Sequence, residues 1–323
     1  MKLSEAKSSN AHSGSRLSKT YTPIAIFVGG TSGIGQRTAE LLAQYTDGNV
    51  HIIIVARRKH EAEKVLGGMI RPLDGRIVLR EFVQADLSLM KNVEAAVSEI
   101  HCLLKDSGIP QKINFLFNSA GYGSFRNRRN DTEEGIDHQL AMRYYQRFKF
   151  VRETLPLLHA AKDAGEDARF VSCLAAGAWW PFVPKDGDFG YKKRKNGPGF
   201  HAALASAVYG DLAVEGFASR NPGISFTHMH PWFVRTLQFQ RDVLFPEKYW
   251  FSKYINPILL FLWTFFSLSE EESAEYHLYA LLHGEPGAHW RDNRANEIGF
   301  REQGVSKEAF WRHSMEETRT RIA

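Results

Sequence analysis

Apolar positions along the chain fall into short β-branched runs separated by stretches with helical spacing. Ile24–Val28 and His51–Ala56 are continuous apolar runs, suited to strands buried on both faces. Residues 76–85, 113–117, 169–172 and 224–229 give four further strands. Between the runs, residues 36–44 carry a helix pattern, and Val93, Val97, Ile100 and Leu104 recur at helical spacing. Leu140, Tyr144, Phe148, Val151, Leu155 and Leu158 form one apolar stripe, which predicts a long helix. Another helix is expected over about 202–219. Strands alternating with helices mean βαβ units, a parallel sheet and helices on both faces. Connection chirality then favours a single doubly wound, Rossmann-like α/β domain over 23–323, with a helical C-terminal elaboration from about 232.

Two segments fall outside this alternation. Residues 1–22 are rich in Ser, Lys and Ala and are expected to form a flexible tail. They lack the roughly 7–15 apolar residues of a secretory signal. Residues 257–268, from Pro257 to Leu268, are the most apolar run. A membrane span needs about 20 such residues. The run is therefore expected to be a buried or subunit-interface helix, with a monotopic membrane contact as the alternative.

Composition narrows the class without naming a chemistry. Of 323 residues, 43% are hydrophobic and 24% charged, enough apolar content for a sizeable core. Disorder, collagen-like sequence and a disulfide scaffold are excluded for the bulk of the chain. The two cysteines, Cys102 and Cys173, fit a reducing compartment, and a cytoplasmic location is expected. The formal charge is +5, too diffuse to indicate nucleic acid but compatible with a phosphorylated small ligand. No metal is expected.

The segment Phe27-Val-Gly-Gly-Thr-Ser-Gly-Ile-Gly35 lies between the first strand and the first helix. Glycines let a backbone approach a pyrophosphate closely, and a helix N-terminus adds free N–H groups and a positive dipole. Thr31, Ser32 and Ile34 complete the turn around Gly29, Gly33 and Gly35. The spacing resembles the T-G-x-x-x-G-x-G fingerprint of the short-chain dehydrogenase/reductase family, with Val28 at the usual Thr. Asn118-Ser-Ala-Gly121 resembles the family's N-N-A-G, and so marks Asn118, Ala120 and Gly121. Asp86-Leu87 stands where the family contacts adenine. Pro231-Trp-Phe-Val-Arg-Thr236 resembles P-G-x-V-x-T, which implies Val234 and Thr236 beside the nicotinamide. The resemblance runs from about Ile24 to Thr236.

An NAD-type site usually ends its second strand with an acid for the ribose 2′-OH. This strand runs into Ala56-Arg-Arg-Lys59 instead. A guanidinium pairs bidentately with a 2′-phosphate. NADP(H) is therefore the expected cofactor, through Arg57 first and Arg58 second.

The resemblance also implies a Ser, a Tyr-x-x-x-Lys and an Asn for proton transfer. Ser172 and Cys173 both suit the serine position, Ser172 better by its hydroxyl. The literal Tyr-x-x-x-Lys is Tyr191 to Lys195, with a Gly/Pro cluster immediately after it that should stop a helix. Counted from Glu215, the family's pair would fall on Pro198 and Ala202, neither of which can do the chemistry. Tyr209 and His201 are fallback acids. Arg143 stands at the Asn place and cannot accept a hydrogen bond. Trp232 replaces the Gly of P-G and, with Trp179, Trp180, Phe182 and Phe200, suggests an aromatic-lined pocket.

These departures resemble a fungal branch of the family that is associated with secondary metabolism. The resemblance implies an oxidoreductase interconverting ketone and alcohol on a hydrophobic small molecule, as a homo-oligomer. The alternative is a repurposed scaffold for a non-redox isomerisation or cyclisation, or an auxiliary protein.

Overall fold

Every residue of β1 (Ile24–Val28) is buried: Ile24, Ile26 and Val28 on one side of the sheet, Ala25 and Phe27 on the other. A continuous apolar run has this fate in a parallel sheet covered on both faces. The computed structural model describes residues 1–121, 129–177, 183–184, 187–193, 199–236, 252–302 and 304–320. In it, β1 is an inner strand of a seven-stranded parallel sheet. The other strands are β2 (His51–Ala56), β3 (Arg80–Gln84), β4 (Phe115–Asn118), β5 (Arg169–Cys173), β6 (Ser225–Met229) and β7 (Gly287–Arg291). Their order is β3-β2-β1-β4-β5-β6-β7, so the carboxyl ends of all seven strands lie along one edge.

One face is covered by α1 (Leu3–Thr20), α2 (Gly33–Tyr45) and α3 (Lys59–Gly68), joined late in the chain by α9 (Glu270–Leu282). The other face carries α4 (Met90–Asp106) and a long helical run made of α5 (His138–Leu140), a π-helical segment (Ala141–Tyr145) and α6 (Gln146–Asp163). That face is completed by α7 (Gly199–Arg220) and α10 (Lys307–Glu317). The doubly wound α/β arrangement is as expected from the pattern.

Three expectations change. Residues 1–22 are not a flexible tail, because residues 3–20 form α1. Its buried side is made of small and polar groups, Ala6, Asn10, Ser13, Gly14, Leu17 and Ser18, so it left no hydrophobic period to read. Asn10 Nδ2 donates to Glu275 Oε2 at 2.8 Å and to the Glu275 carbonyl at 2.9 Å, which ties α1 to α9. The third strand begins at Arg80 rather than 76, with apolar Ile77 95% exposed outside the sheet. The edge strand β7 (Gly-Ala-His-Trp-Arg) lacks β-branched residues and gave no strand signal.

The described side chains of the apolar run 257–268 are not buried within this chain. The run forms most of α8 (Ser252–Thr264), where Tyr254, Ile258 and Phe261, at i, i+4 and i+7, are each more than half exposed, as is Phe265 just past its end. Thirteen residues span roughly 20 Å at the usual helical rise. Among the described residues no helix is long and apolar enough to cross a membrane.

Candidate active and cofactor site

The turn between β1 and α2 is shaped by close backbone packing. Gly29 has φ +88°, and its N–H donates to the Val55 carbonyl at 2.9 Å. A Cβ there would lie 2.6 Å from the Ala120 nitrogen. A Cβ on Gly35 would collide with Ser119 Oγ and come 2.6 Å from the Gly29 carbonyl oxygen. Ser119 Oγ itself donates to that carbonyl at 3.2 Å. The glycine turn and the Asn118–Gly121 segment are thus packed against each other, which joins two of the motifs read from the sequence.

Ser32 stands at the N-cap of α2, and its side chain makes no capping bond. The first-turn amides of α2 therefore keep their hydrogen-bonding capacity for an anion, reinforced by the helix dipole. Thr236 reaches the same place: its Cγ2 is 3.2 Å from the point a Gly33 Cβ would take. The strand-like segment carrying Val234 and Thr236 is fixed by a bridge from Val234 to Leu268 and by Arg235 N–H donating to the Leu268 carbonyl at 3.0 Å. Glu270 also stands over the turn, with Oε1 4.0 Å from the Gly33 Cβ point. Burial raises its carboxyl pKa above the ordinary value.

Arg57 and Arg58 follow β2 directly and behave differently. Arg58 pairs with Glu61 at 3.0 Å. Arg57 is exposed and has no ion-pair partner among the described residues. Asp86 is exposed beyond β3, with Oδ1 accepting from the Ser88 amide at 3.1 Å. The Leu87 side chain is buried in the core.

Further along the same edge, register places Asn118, Ser172 and His228 side by side on β4, β5 and β6. Each is met by a polar residue from the covering helices. Asn118 and Gln146 exchange amide hydrogen bonds at 3.0 and 3.3 Å. Arg147 Nη1 donates to the Asn118 carbonyl at 2.5 Å and to Ser172 Oγ at 3.0 Å, and Nη2 donates to the Ala120 carbonyl at 2.6 Å. His228 Nδ1 and Asp211 Oδ1 are 2.7 Å apart, both fully buried. The Ala175 amide donates to His228 Nε2 at 3.3 Å, and the Gly177 amide to Asp211 Oδ2 at 3.0 Å. With Nε2 accepting, Nδ1 carries the proton toward Asp211, and the pair holds the loop that follows β5.

Gln146, Arg147, Asp211 and His228 were not foreseen from the sequence. The readable signal was Arg143 and Arg147, two bases at i and i+4 flanking the apolar stripe of the long helix.

Of the residues read as catalytic, Ser172 faces the α6–α7 layer and bonds Arg147. Cys173 points to the opposite face, packed in the cluster of Phe117 and Met229, and burial pushes its thiol up to about 12. Of the two, only Ser172 carries a hydroxyl on the face that Arg147 reaches.

Tyr191 does not sit on a helix. It follows a turn in which the Asp188 carboxylate accepts from the Lys192 and Lys193 amides at 2.8 and 3.1 Å, and its own φ is +53°. Its side chain is fully buried, and Ser172 makes no bond to it. The one-face spacing expected of a Tyr-x-x-x-Lys is not formed at Tyr191, and Lys195 lies outside the described residues. Tyr209 is buried on α7, and its hydroxyl donates to the Phe189 carbonyl at 3.0 Å. Trp232 adopts a glycine-like φ of +58° and is 53% exposed, with its indole N–H donating to the Phe266 carbonyl at 3.2 Å. Trp179, Trp180 and Phe182, and the side chain of Phe200, lie outside the described residues.

A parallel sheet with a glycine turn at the first strand's carboxyl end defines a dinucleotide-binding α/β protein. Residues 23–175 match the family model for short chain dehydrogenase. An oxidoreductase of Emericella nidulans is 33% identical over 287 residues, covering 88% of this chain and 77% of the relative. Oxidoreductase andH of Emericella variicolor is 31% identical over 258 residues, covering 79% and 68%. The NADPH-bound carbonyl reductase from chicken fatty liver shares the fold, with a TM-score of 0.59 at 14% identity over 87% of this chain and 99% of that one. The chain belongs to the short-chain dehydrogenase family, within a branch of fungal oxidoreductases.

Proposed function

We propose that this protein is an NADP(H)-dependent oxidoreductase interconverting a ketone and an alcohol on a hydrophobic small molecule of fungal secondary metabolism. The observation that carries the cofactor choice is Arg57, exposed at the carboxyl end of β2 without an ion-pair partner among the described residues, beside a glycine turn with open helix amides. A bound nicotinamide supplies hydride transfer. The turn around Gly29, Thr31, Ser32, Gly33, Ile34 and Gly35 fits a pyrophosphate, since a Cβ at Gly29 or Gly35 would fill the backbone cradle. Arg57 pairs with the 2′-phosphate, and Arg58, already held by Glu61, contributes less. Ser172 accepts from Arg147, which leaves its own O–H to donate to a substrate oxygen. Fungal relatives named as oxidoreductases support the reading.

One observation favours a second reading, a cofactor-binding scaffold for non-redox chemistry: Tyr191 lies off α7, so no Tyr-x-x-x-Lys helix face forms there. Fluorescence titration with NADPH and NADH separates the parts. NADPH is expected to bind at least tenfold more tightly than NADH, and Arg57→Ala to remove most of that gap, as the loss of a charge-assisted contact of roughly 1.5–3 kcal/mol implies. Equal affinities for the two cofactors would overturn the NADP(H) assignment, and binding without hydride turnover on any carbonyl would favour the second reading.

A further inference from the structure

The inner face of the long helix carries two positive charges with no negative partner among the described residues. Arg143 lies in the π-helical segment and Arg147 one turn later on α6. Neither forms an ion pair with any carboxylate among the described residues. Burial lowers both guanidinium pKa values to about 10, which still leaves both charged at neutral pH. Buried charges in proteins are almost always paired, because desolvation is costly.

The two differ in what they have left to offer. Arg147 uses Nη1 and Nη2 on the Asn118 and Ala120 carbonyls and on Ser172 Oγ, and its buried Nε has no acceptor. It is fixed in place through three of its four terminal N–H groups, and its main contribution is charge. Arg143 makes one bond, from Nε to Ser206 Oγ at 2.9 Å. Its terminal nitrogens have no acceptor among the described residues, and the residue is only partly covered. A guanidinium anchored through Nε presents its two Nη groups as a planar fork, the geometry that matches a carboxylate.

From this pair we infer that Arg143, supported by the field of Arg147, is a binding site for an anionic group on the substrate, a carboxylate or an equivalent delocalised oxyanion. The inference rests on the reading of this strand edge as the substrate end of the site. It makes the substrate a hydrophobic acid rather than a neutral ketone or alcohol. The π-helical turn sets where the fork stands, since it is the segment that carries Arg143.

The probe is benzoate, with benzamide as the uncharged mimic of the same shape, titrated against the full chain by calorimetry with and without saturating NADPH. Benzoate is expected to bind and benzamide to bind at least tenfold more weakly. Arg143→Met is expected to weaken benzoate at least tenfold while NADPH affinity stays within twofold, and Arg143→Lys to retain part of the benzoate affinity. Equal binding of benzamide, or unchanged benzoate binding in Arg143→Met, overturns the site. Competition between benzoate and NADPH also overturns it, because the anion would then be occupying the cofactor's phosphate positions. Should Arg143→Met fail to fold, the benzoate–benzamide comparison on the unaltered protein and the Arg143→Lys variant still decide. Failure of NADPH to bind with benzoate binding intact sinks the oxidoreductase reading and leaves the anion site standing.

Discussion

Gly210 sits on α7 immediately before Asp211, and a Cβ there would come 2.6 Å from His228 Cε1. In an exposed helix a Gly→Ala change gains about 1 kcal/mol. Here the imidazole cannot move aside, because Asp211 holds one nitrogen and the Ala175 amide the other. Overpacking costs about 1–3 kcal/mol and reverses the sign. Gly210→Ala is therefore expected to lower the urea midpoint by the equivalent of about 2 kcal/mol, and an unchanged midpoint would mean the His228 ring is free to rotate. Residues of this kind differ in how visible they are to a reader of the sequence. The glycines of the phosphate turn announce themselves, because their identity is the device. Arg147 is invisible by comparison: its acceptors are two carbonyls and a hydroxyl brought together only by folding. His228 reads as one more residue in a strand.

At the scale of elements, the N-terminus of α2 meets the first turn of α9. Glu270 stands over the glycine turn, where a cofactor pyrophosphate is proposed to lie, and its carboxylate opposes that charge. Protonation removes the opposition, so cofactor affinity is expected to rise as pH falls through the raised Glu270 pKa. Glu270→Gln should tighten NADH binding by roughly threefold to tenfold at pH 7.5 and flatten its pH dependence. NADH is the suitable probe because it lacks a titrating 2′-phosphate. Identical pH profiles for the two proteins would show that Glu270 swings clear of the bound cofactor. Element boundaries were legible where period and burial agree, as in β1, β2 and α7. They failed at α1, whose buried side is mostly Ala, Asn, Ser and Gly, and the stripe through Leu140 and Tyr144 predicted a helix without its π-helical turn.

Over the whole molecule, buried neutral histidines set the response to acid. Burial, with Arg80 and Lys112 adding to it, lowers His51 to about 4, and its Nδ1 accepts from the Leu79 amide at 2.9 Å. Burial lowers His277 to about 4 as well, with Nδ1–H donating to the Ser273 carbonyl at 2.7 Å. Both folded-state values lie below the ordinary 6.5, so the unfolded chain takes up these protons first. Stability is therefore fully present above about pH 6.5 and falls as the pH drops toward 4. By pH 5 the loss through His277 is about 2 kcal/mol, with a smaller share through the less buried His51. Urea midpoints measured from pH 7 to pH 5 check this, and His277→Gln should flatten the slope; a flat profile in the unaltered protein would contradict it.

The contact between α1 and α9 has a consequence for synthesis. β4 pairs beside β1, and after it β5, β6 and β7 each find the previous strand as a waiting edge. Domains fold largely as they leave the ribosome, at about 5–20 residues per second. α1 gains part of its seat early, where Asn49 Nδ2 donates to the Ser18 carbonyl at 2.9 Å, but Asn10 finds its partner only at Glu275, 265 residues later. The side of α1 that faces α9 is thus among the last surfaces to be covered, and for much of synthesis the Asn10 amide waits for its partner.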